Sequence, residues 1–210
     1  MRTPKYKAKN RTIDWLNQYI IKSDNSKLPS TISILNKIHN LETKPLDTSP
    51  IESNSWFSGF SDADANFSIN IHKRSNKNAT RVQLYYRLEI KQNYHSTESE
   101  NNKASFYPLM SKIAMYLDVT LYSRARLIKD KDFHSFIIIS QNKNSNSKIN
   151  NYFEKFPLLS SKYLDYKDWA LILKLQNFNS ITTSYLDKAI KTRTDFNSTR
   201  TTFNWDHLNL

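Results

Sequence analysis

Two aspartates close to the only glycine of the chain, Asp62 and Asp64, are the strongest candidates for chemistry. The residues before them predict a helix, so both carboxylates fall in its last turn. A negative charge there opposes the helix dipole and costs about 0.3–1 kcal/mol. A bound cation would remove that cost, so the pair indicates a cation site. The alternative is an ordinary amphipathic helix that happens to end in Asp-Ala-Asp.

The single glycine indicates a position that only glycine can fill. A chain of this length would hold roughly fifteen glycines at average usage. Helical spacing of three and four places these residues on one face of the predicted helix: Trp56, Gly59, Phe60 and Ala63. Because Gly59 and Ala63 are small and four residues apart, they form a groove that a second backbone can approach closely.

The stretch from Phe57 to Ala65, Phe-Ser-Gly-Phe-Ser-Asp-Ala-Asp-Ala, resembles the motif of the LAGLIDADG homing endonucleases and intron maturases. The glycine, the small residue and both aspartates are in register. The last glycine of the family motif is Ala65 here, so we expect the helix to stop at Asn66, which tolerates a left-handed conformation. No second motif occurs in the sequence, which resembles the C-terminal half of two-motif members encoded by fungal mitochondrial introns.

The resemblance implies a metal-dependent active site shared by two motif helices. In the family, these helices pack through their small residues, and their terminal acids share divalent cations between the two scissile phosphates. By that correspondence, Gly59 and Ala63 are helix-packing residues and Asp64 is the catalytic metal ligand. Mg²⁺ is the expected cation because it prefers hard oxygen ligands.

Three further positions take their roles only from the resemblance. Asp62 matches the inner aspartate, a helix-end hydrogen-bonding residue rather than a ligand. Gln92 matches a catalytic polar residue that orders water, and Lys162 matches a catalytic basic residue near the scissile phosphate. The alternatives are a glutamine at a strand end and a surface lysine at a helix start.

The charge of the chain favours a polyanionic partner. Its 31 Lys and Arg against 19 Asp and Glu give a net charge of +12. Nucleic acid is the first candidate and an anionic membrane surface the second. No apolar run approaches the ~18 residues of a membrane span, and the absence of cysteine excludes disulfides and thiolate zinc sites. The bias towards Asn, Lys, Ile and Tyr fits an A+T-rich organellar gene, and we expect a mitochondrial protein.

The pattern of elements predicts an α+β fold. Alternating apolar and polar residues predict strands over residues 67–72, 82–91, 121–128 and 133–141. Helical spacing predicts helices over residues 56–64, 106–117, 151–159 and 164–176. The resulting order gives a four-stranded antiparallel saddle sheet with helices on one face, which is also the LAGLIDADG half-domain.

The rest of the chain divides by composition. We expect a basic arm and helical connector over residues 1–50, the LAGLIDADG domain over 51–195 and a C-terminal tail over 196–210. The connector is expected to hold a helix over residues 11–22 and a second one around Ile32, Leu35 and Ile38. The ending from Arg200 to His207 is common in the intron-encoded group, and the sequence suggests no physical role for it.

A sheet with helices on one face leaves its other face open to a partner. The residues that alternation places there are Asn70, His72, Arg74, Gln83, Tyr85, Arg87, Lys91, Arg124 and Arg126. Arginine, glutamine and asparagine are the side chains that read base edges in a major groove, so we expect this face to bind nucleic acid. The alternative is a solvated sheet face, which is normal for antiparallel sheets.

Three functions remain open from the sequence. The first is a site-specific, divalent-metal-dependent DNA endonuclease that acts as a dimer or with a separate first half. The second is a group I intron RNA maturase, and the third is an inactive RNA-binding subunit of a mitochondrial ribonucleoprotein. The intact Asp62 and Asp64 favour the endonuclease, whereas Ala65 and the missing second motif favour the others. The expected partners are double-stranded DNA or structured RNA and a second motif helix, with no membrane.

Overall fold

The computed structural model describes residues 2–23, 41–73, 80–94, 105–128, 131–178 and 183–209. The α-helices in this part of the chain are α1 (Tyr6–Ser23), α2 (Trp56–Asp64), α3 (Tyr107–Leu117), α4 (Lys143–Lys155), α5 (Lys162–Phe178) and α6 (Thr183–Thr194). The strands are β1 (Ala65–Lys73), β2 (Thr80–Lys91), β3 (Leu121–Ile128) and β4 (Lys131–Ser140). Single 3-10 turns lie at Ile51–Ser53, Asn197–Thr199 and Asp206–Leu208. The order from α2 to α5 confirms the predicted α+β plan. None of the helices in these ranges is long and apolar enough to cross a membrane.

Several helix boundaries differ from the sequence prediction. Helix α1 begins earlier than expected, and α6 was not predicted. Helix α4 covers Lys143–Lys155 rather than residues 151–159, because the side chain of Asn142 accepts a hydrogen bond from the Ser145 amide (2.9 Å) and caps the helix there. The second connector helix and Arg74 lie outside the described residues.

The four strands form one antiparallel sheet in the order β1-β2-β4-β3. Side chains that point to one face of the sheet are buried: Phe67, Ile69, Val82, Leu84, Tyr86, Leu88 and Ile138. Helices α2, α4, α5 and α6 contact β1 or β2. The core is strongly aromatic, with the ring of Phe67 in contact with those of Tyr86, Phe153, Tyr166 and Trp169.

Helix α2 is fixed to this core by one face only. Phe57 is fully buried, and its ring lies 5.1 Å from Tyr152 and 6.2 Å from Tyr86 between ring centres. The Phe57 amide donates to the Tyr152 hydroxyl (3.1 Å), and the hydroxyls of Ser61 and Tyr86 are 2.8 Å apart. Burial raises the pKa of Tyr86, so this phenol stays protonated and hydrogen-bonded. These contacts set the rotation of α2 about its own axis.

The chain separates into two compact units. The first contains Met1–Ser49 and Asn93–Leu109, and the second contains Pro50–Gln92 and Met110–Leu210. Within the first unit, the Arg2 guanidinium is buried against the Ser49 carbonyl (2.6 Å) and Asp47 (3.2 Å). Along α1, Asn17 donates to the Leu41 carbonyl (3.0 Å), which holds the segment after residue 40 beside the helix.

The C-terminal tail is anchored to α5. The Arg200 guanidinium, whose side chain is only 8% exposed, pairs with Asp165 (2.9 Å) and Asp168 (2.5 Å). The His207 ring stacks on Tyr163 with 4.1 Å between ring centres. This gives the ending from Arg200 to His207 a structural role, because it covers the first turns of the helix that begins at Lys162.

Candidate functional site

The outward face of α2 carries the two small residues of the motif. Gly59 and Ala63 are both exposed, whereas Phe57, Ser58 and Ser61 are buried on the opposite side. A β-carbon added at Gly59 would meet no atom of the described residues within 4 Å. Nothing in the described part of the chain therefore requires glycine at this position, and no described residue fills the space above Gly59.

Helix α2 passes directly into strand β1. Ala65 follows the last helical residue with φ −97° and ψ 164°, an extended conformation that any L-residue adopts. Asn66 lies within β1, so the predicted left-handed stop at Asn66 is wrong. Among the described residues other than glycine, only Asp118 and Asn197 have positive φ. An alanine can therefore replace the last glycine of the motif without backbone strain.

The segment before α5 is hydrogen-bonded to the end of α2. The Asp62 carboxylate accepts hydrogen bonds from the Leu159 amide (2.8 Å) and the Ser160 hydroxyl (2.6 Å). The Lys162 ammonium donates to the carbonyls of Ser61 (2.8 Å) and Asp62 (2.7 Å). Asp62 is thus engaged as a hydrogen-bonding residue, and Lys162 places a positive charge at the negative end of the helix dipole.

Electrostatics link Lys162 to the motif acids. Burial lowers the pKa of Lys162, and the nearby charges of Asp62, Asp64 and Asp165 act in the opposite direction. The structure therefore brings two of the predicted site residues, Asp64 and Lys162, to the same end of α2. At this position the ammonium holds backbone carbonyls, so the chain alone presents Lys162 as a residue that positions the helix end.

Lys162→Met should destabilise the fold because it removes two charge-assisted hydrogen bonds from the end of α2. We expect a loss of about 2 kcal/mol in the free energy of unfolding, measured by urea denaturation. Lys167→Met is the matched control, since Lys167 is half-exposed, pairs at 3.6 Å with exposed Glu154 and lies 5.9 Å from the centre of the Tyr163 ring. The control should change stability by less than about 0.5 kcal/mol. Equal unfolding midpoints for the two variants would contradict the capping role.

Asp64 supplies one exposed carboxylate at the end of α2. Within the ranges that the structure describes, no group of three or more His, Cys, Asp or Glu residues is placed to hold a metal ion. A carboxylate is a suitable hard ligand for Mg²⁺, but one carboxylate is an incomplete donor set. Among the described residues, the chain therefore presents Asp64 at the end of α2 as one possible ligand of a metal site.

Gln92 directly follows β2, at the end of this strand that pairs with the start of β1. Ala65, the first residue of β1, pairs with Leu88, and Gln92 follows β2 beyond that point. The Gln92 side-chain amide donates to the Ser123 hydroxyl (2.6 Å) and to the Ser135 carbonyl (3.4 Å). These contacts hold the glutamine against β3 and β4, at the end of β2 that lies beyond the start of β1.

The strand register places the predicted open-face residues together. Asn70 pairs with Gln83 and His72 with Arg81, so these side chains share a face. The same alternation along β2 adds Tyr85, Arg87 and Lys91. Arg124 and Arg126 of β3 pair with Ser135 and Phe133 of β4, and Ser135 pairs with Lys91, so both arginines lie on this face as well. This set, without Arg74 and with Arg81 added, is called the open face below. Sequence analysis missed Arg81, although strand alternation with Gln83 and Tyr85 could have identified it.

The centre of the open face contains an acid that sequence analysis did not use. Glu89 binds the guanidiniums of both Arg87 and Arg126, and its carboxylate also accepts from the Ser135 hydroxyl (2.6 Å). Desolvation acts to raise the pKa of Glu89, but the hydrogen bonds of Ser135 and Arg87 and the two arginine charges lower it overall. Glu89 is therefore ionised and offsets part of the positive charge of this face.

Comparison with known proteins identifies one matching family model and several relatives of the chain. A family model described as LAGLIDADG endonuclease matches residues 57–173, more than half of the chain. "Intron-encoded DNA endonuclease aI3" of Saccharomyces cerevisiae is 40% identical over 99% of this chain and 52% of its own length. "Uncharacterized cox1 intron-2 37.2 kDa protein" of Schizosaccharomyces pombe is 33% identical over 66% of this chain and 36% of its own length. The chain thus spans about half the length of the yeast relative and 36% of the length of the second one.

Solved structures show the same fold at low identity. The meganuclease I-SmaMI, bound to uncleavable DNA, superposes with a TM-score of 0.57 at 18% identity, over 92% of this chain and 59% of that one. The homing endonuclease I-GzeII, in complex with its DNA target, gives a TM-score of 0.54 at 20% identity, over 89% and 59% of the two chains.

Proposed function

Since the chain belongs to the LAGLIDADG endonuclease family, we propose that it is a site-specific DNA endonuclease that depends on a divalent metal ion. It acts with a second motif helix, contributed by another copy or by a separate first-half protein. One observation carries this proposal: the outward face of α2 presents Gly59 and Ala63 to open space, and the same helix ends at the exposed Asp64. Two such helices in contact would bring two carboxylates together.

The residues of this chain have distinct roles in the proposed reaction. Asp64 holds the cation, for which we propose Mg²⁺, and Asp62 fixes the helix end through Leu159 and Ser160. When bound, the cation lowers the pKa of water and stabilises negative charge that develops on the phosphate. Lys162 keeps the last carbonyls of α2 in place, and we assign to Gln92, held by Ser123, the role of ordering water.

The open face is the proposed DNA-binding surface. It carries amide and guanidinium groups on β1, β2 and β3, and a major groove admits a two-stranded β-ribbon. The yeast relative is named a DNA endonuclease, and two of the similar structures contain DNA. The names of the relatives describe intron-encoded proteins, one of them from a cox1 intron. We therefore propose a mitochondrial protein whose target is the uninterrupted form of its host gene.

Binding should weaken steeply with salt, because the cations of the open face and the connector displace counterions from DNA. If about 6 phosphates are neutralised, log K should fall against log salt with a slope of about −5. The measurement is fluorescence anisotropy with a duplex that carries the joined exons, beside the intron RNA as competitor. Affinity that does not change with salt would refute the electrostatic part. Tighter binding to the intron RNA than to the duplex would favour the maturase.

A further inference from the structure

A carboxylate lies among the arginines of the open face and organises them. Glu89 and Arg87 project from the same face of β2, two residues apart, and Arg126 reaches Glu89 from β3 across the intervening strand β4. Ser135 of β4 is fully buried beneath and donates to the same carboxylate at 2.6 Å. We call Arg87, Glu89, Arg126 and Ser135 the Glu89 cluster.

The cluster restricts its two guanidiniums without hiding them. The side chain of Glu89 is 17% exposed, whereas those of Arg87 and Arg126 are 36% and 35% exposed. Each bond to Glu89 involves one terminal nitrogen of the arginine, and a guanidinium carries five N–H donors. Arg126 is further held over the Phe133 ring, 5.5 Å from its centre. Both arginine side chains therefore stay partly exposed while one terminal nitrogen of each is held by Glu89, and the Nε of Arg126 is buried without a hydrogen-bond partner among the described residues.

This arrangement suits base recognition better than phosphate binding. The carboxylate reduces the net positive charge of the cluster and repels phosphate oxygens. Glu89 therefore weakens the attraction of the two arginines for phosphate. An arginine that is already fixed loses less side-chain freedom when it binds. Guanine presents O6 and N7 side by side in the major groove and accepts a bidentate pair of hydrogen bonds from arginine.

We propose that Glu89 is a specificity-determining residue that holds Arg87 and Arg126 for the recognition of guanines in neighbouring base pairs. This inference rests on the proposed DNA-binding function of the open face. Both oxygens of Glu89 are occupied by the arginines, so its own role is to position them. Glu89 also suppresses binding to other sequences, because without it two mobile arginines would be available to any phosphate.

The test is selection from a library of randomised DNA duplexes with the full chain and its variants, followed by sequencing of the bound fraction. The wild type should enrich a sequence with guanines in neighbouring pairs. Glu89→Gln should lower that guanine enrichment at least about tenfold and leave the rest of the sequence preference intact. The same variant should bind an unrelated duplex more tightly at low salt. Arg87→Lys and Arg126→Lys should each relax one of the guanine positions.

Arg81→Gln is the matched control, because Arg81 lies exposed on the same face outside the cluster. It should weaken binding to all duplexes and leave the guanine preference of the cluster unchanged. Ser135→Ala removes one hydrogen bond to Glu89 but keeps the carboxylate. If Glu89→Gln does not fold, the guanine enrichment of Ser135→Ala tests the inference instead. Unchanged guanine enrichment in the folded Glu89 or Ser135 variant would overturn the inference. A wild type that enriches no sequence would instead refute site-specific DNA recognition itself.

Discussion

Asp64→Asn should abolish DNA cleavage while leaving DNA affinity nearly unchanged. The substitution keeps the shape of the side chain but removes the charge and the ligand that this chain contributes to the proposed cation site. The loss of rate should reach several powers of ten, because the cation both activates water and stabilises the phosphate. Removal of a carboxylate from the negative end of α2 should also stabilise the protein without metal by about 0.3 kcal/mol. The measurement is the single-turnover cleavage rate in Mg²⁺.

Glu52→Gln is the matched control for Asp64→Asn. Glu52 is an exposed carboxylate near the opposite end of α2, so its replacement changes the net charge equally. The control should cleave at the wild-type rate. Cleavage that survives in Asp64→Asn would show that another group holds the metal ion.

Gly59→Leu should separate assembly from folding. Leucine has a higher helix propensity than glycine by about 0.8 kcal/mol, and an added β-carbon meets no atom within 4 Å, so the single chain should be as stable as the wild type or more so. The larger side chain should nevertheless hold apart two helices that pack through Gly59 and Ala63. We expect association to weaken at least about 100-fold, or about 2.7 kcal/mol, in sedimentation measurements.

Lys148→Leu is the control for a leucine on the surface, because Lys148 is exposed on α4, outside the motif helix. It should associate like the wild type. Ala63→Leu, on the same face as Gly59, should reproduce the Gly59 effect. Unchanged association of both motif variants would place the interface on another surface of the chain.

Local patterns in the sequence were sufficient to predict the motif helix, the four strands and every open-face residue except Arg81. Each of these depends on neighbours within one element: the spacing of Gly59 and Ala63 on a helix, and the alternation of Gln83, Tyr85 and Arg87 on a strand. These periods translate directly into faces. Their accuracy here reflects the fact that one side of each element is buried in an aromatic core.

The contacts that tune the site depend on residues distant in sequence. Glu89 meets Arg126 only because β4 lies between β2 and β3, and the sequence does not specify this strand order. The hydrogen bond from the Leu159 amide to Asp62 joins residues 97 positions apart. The pairing of Arg200 with Asp165 likewise requires the tail to return to α5. None of these pairs has a local period from which it could be predicted.

The missed helix α6 has a different cause. Its sequence, Thr-Ser-Tyr-Leu-Asp-Lys-Ala-Ile-Lys-Thr-Arg-Thr, is polar and contains three β-branched threonines, which are weak helix formers. Burial of Tyr185 and Ala189 in the core supplies the stabilisation that propensity does not. Tertiary packing therefore decided this element.

Cleavage of a duplex carrying the joined exons is the most direct measurement of the central claim, that Asp64 serves a metal site shared by two motif helices. The duplex is incubated with the wild-type chain, alone and together with its first-half partner, in Mg²⁺ and in a chelator. The account predicts cutting of both strands at one position in Mg²⁺, none in the chelator, and recovery when Mg²⁺ is restored. An intact duplex with both motif helices present in Mg²⁺, despite tight and specific binding, would contradict the account and identify the chain as a binding protein.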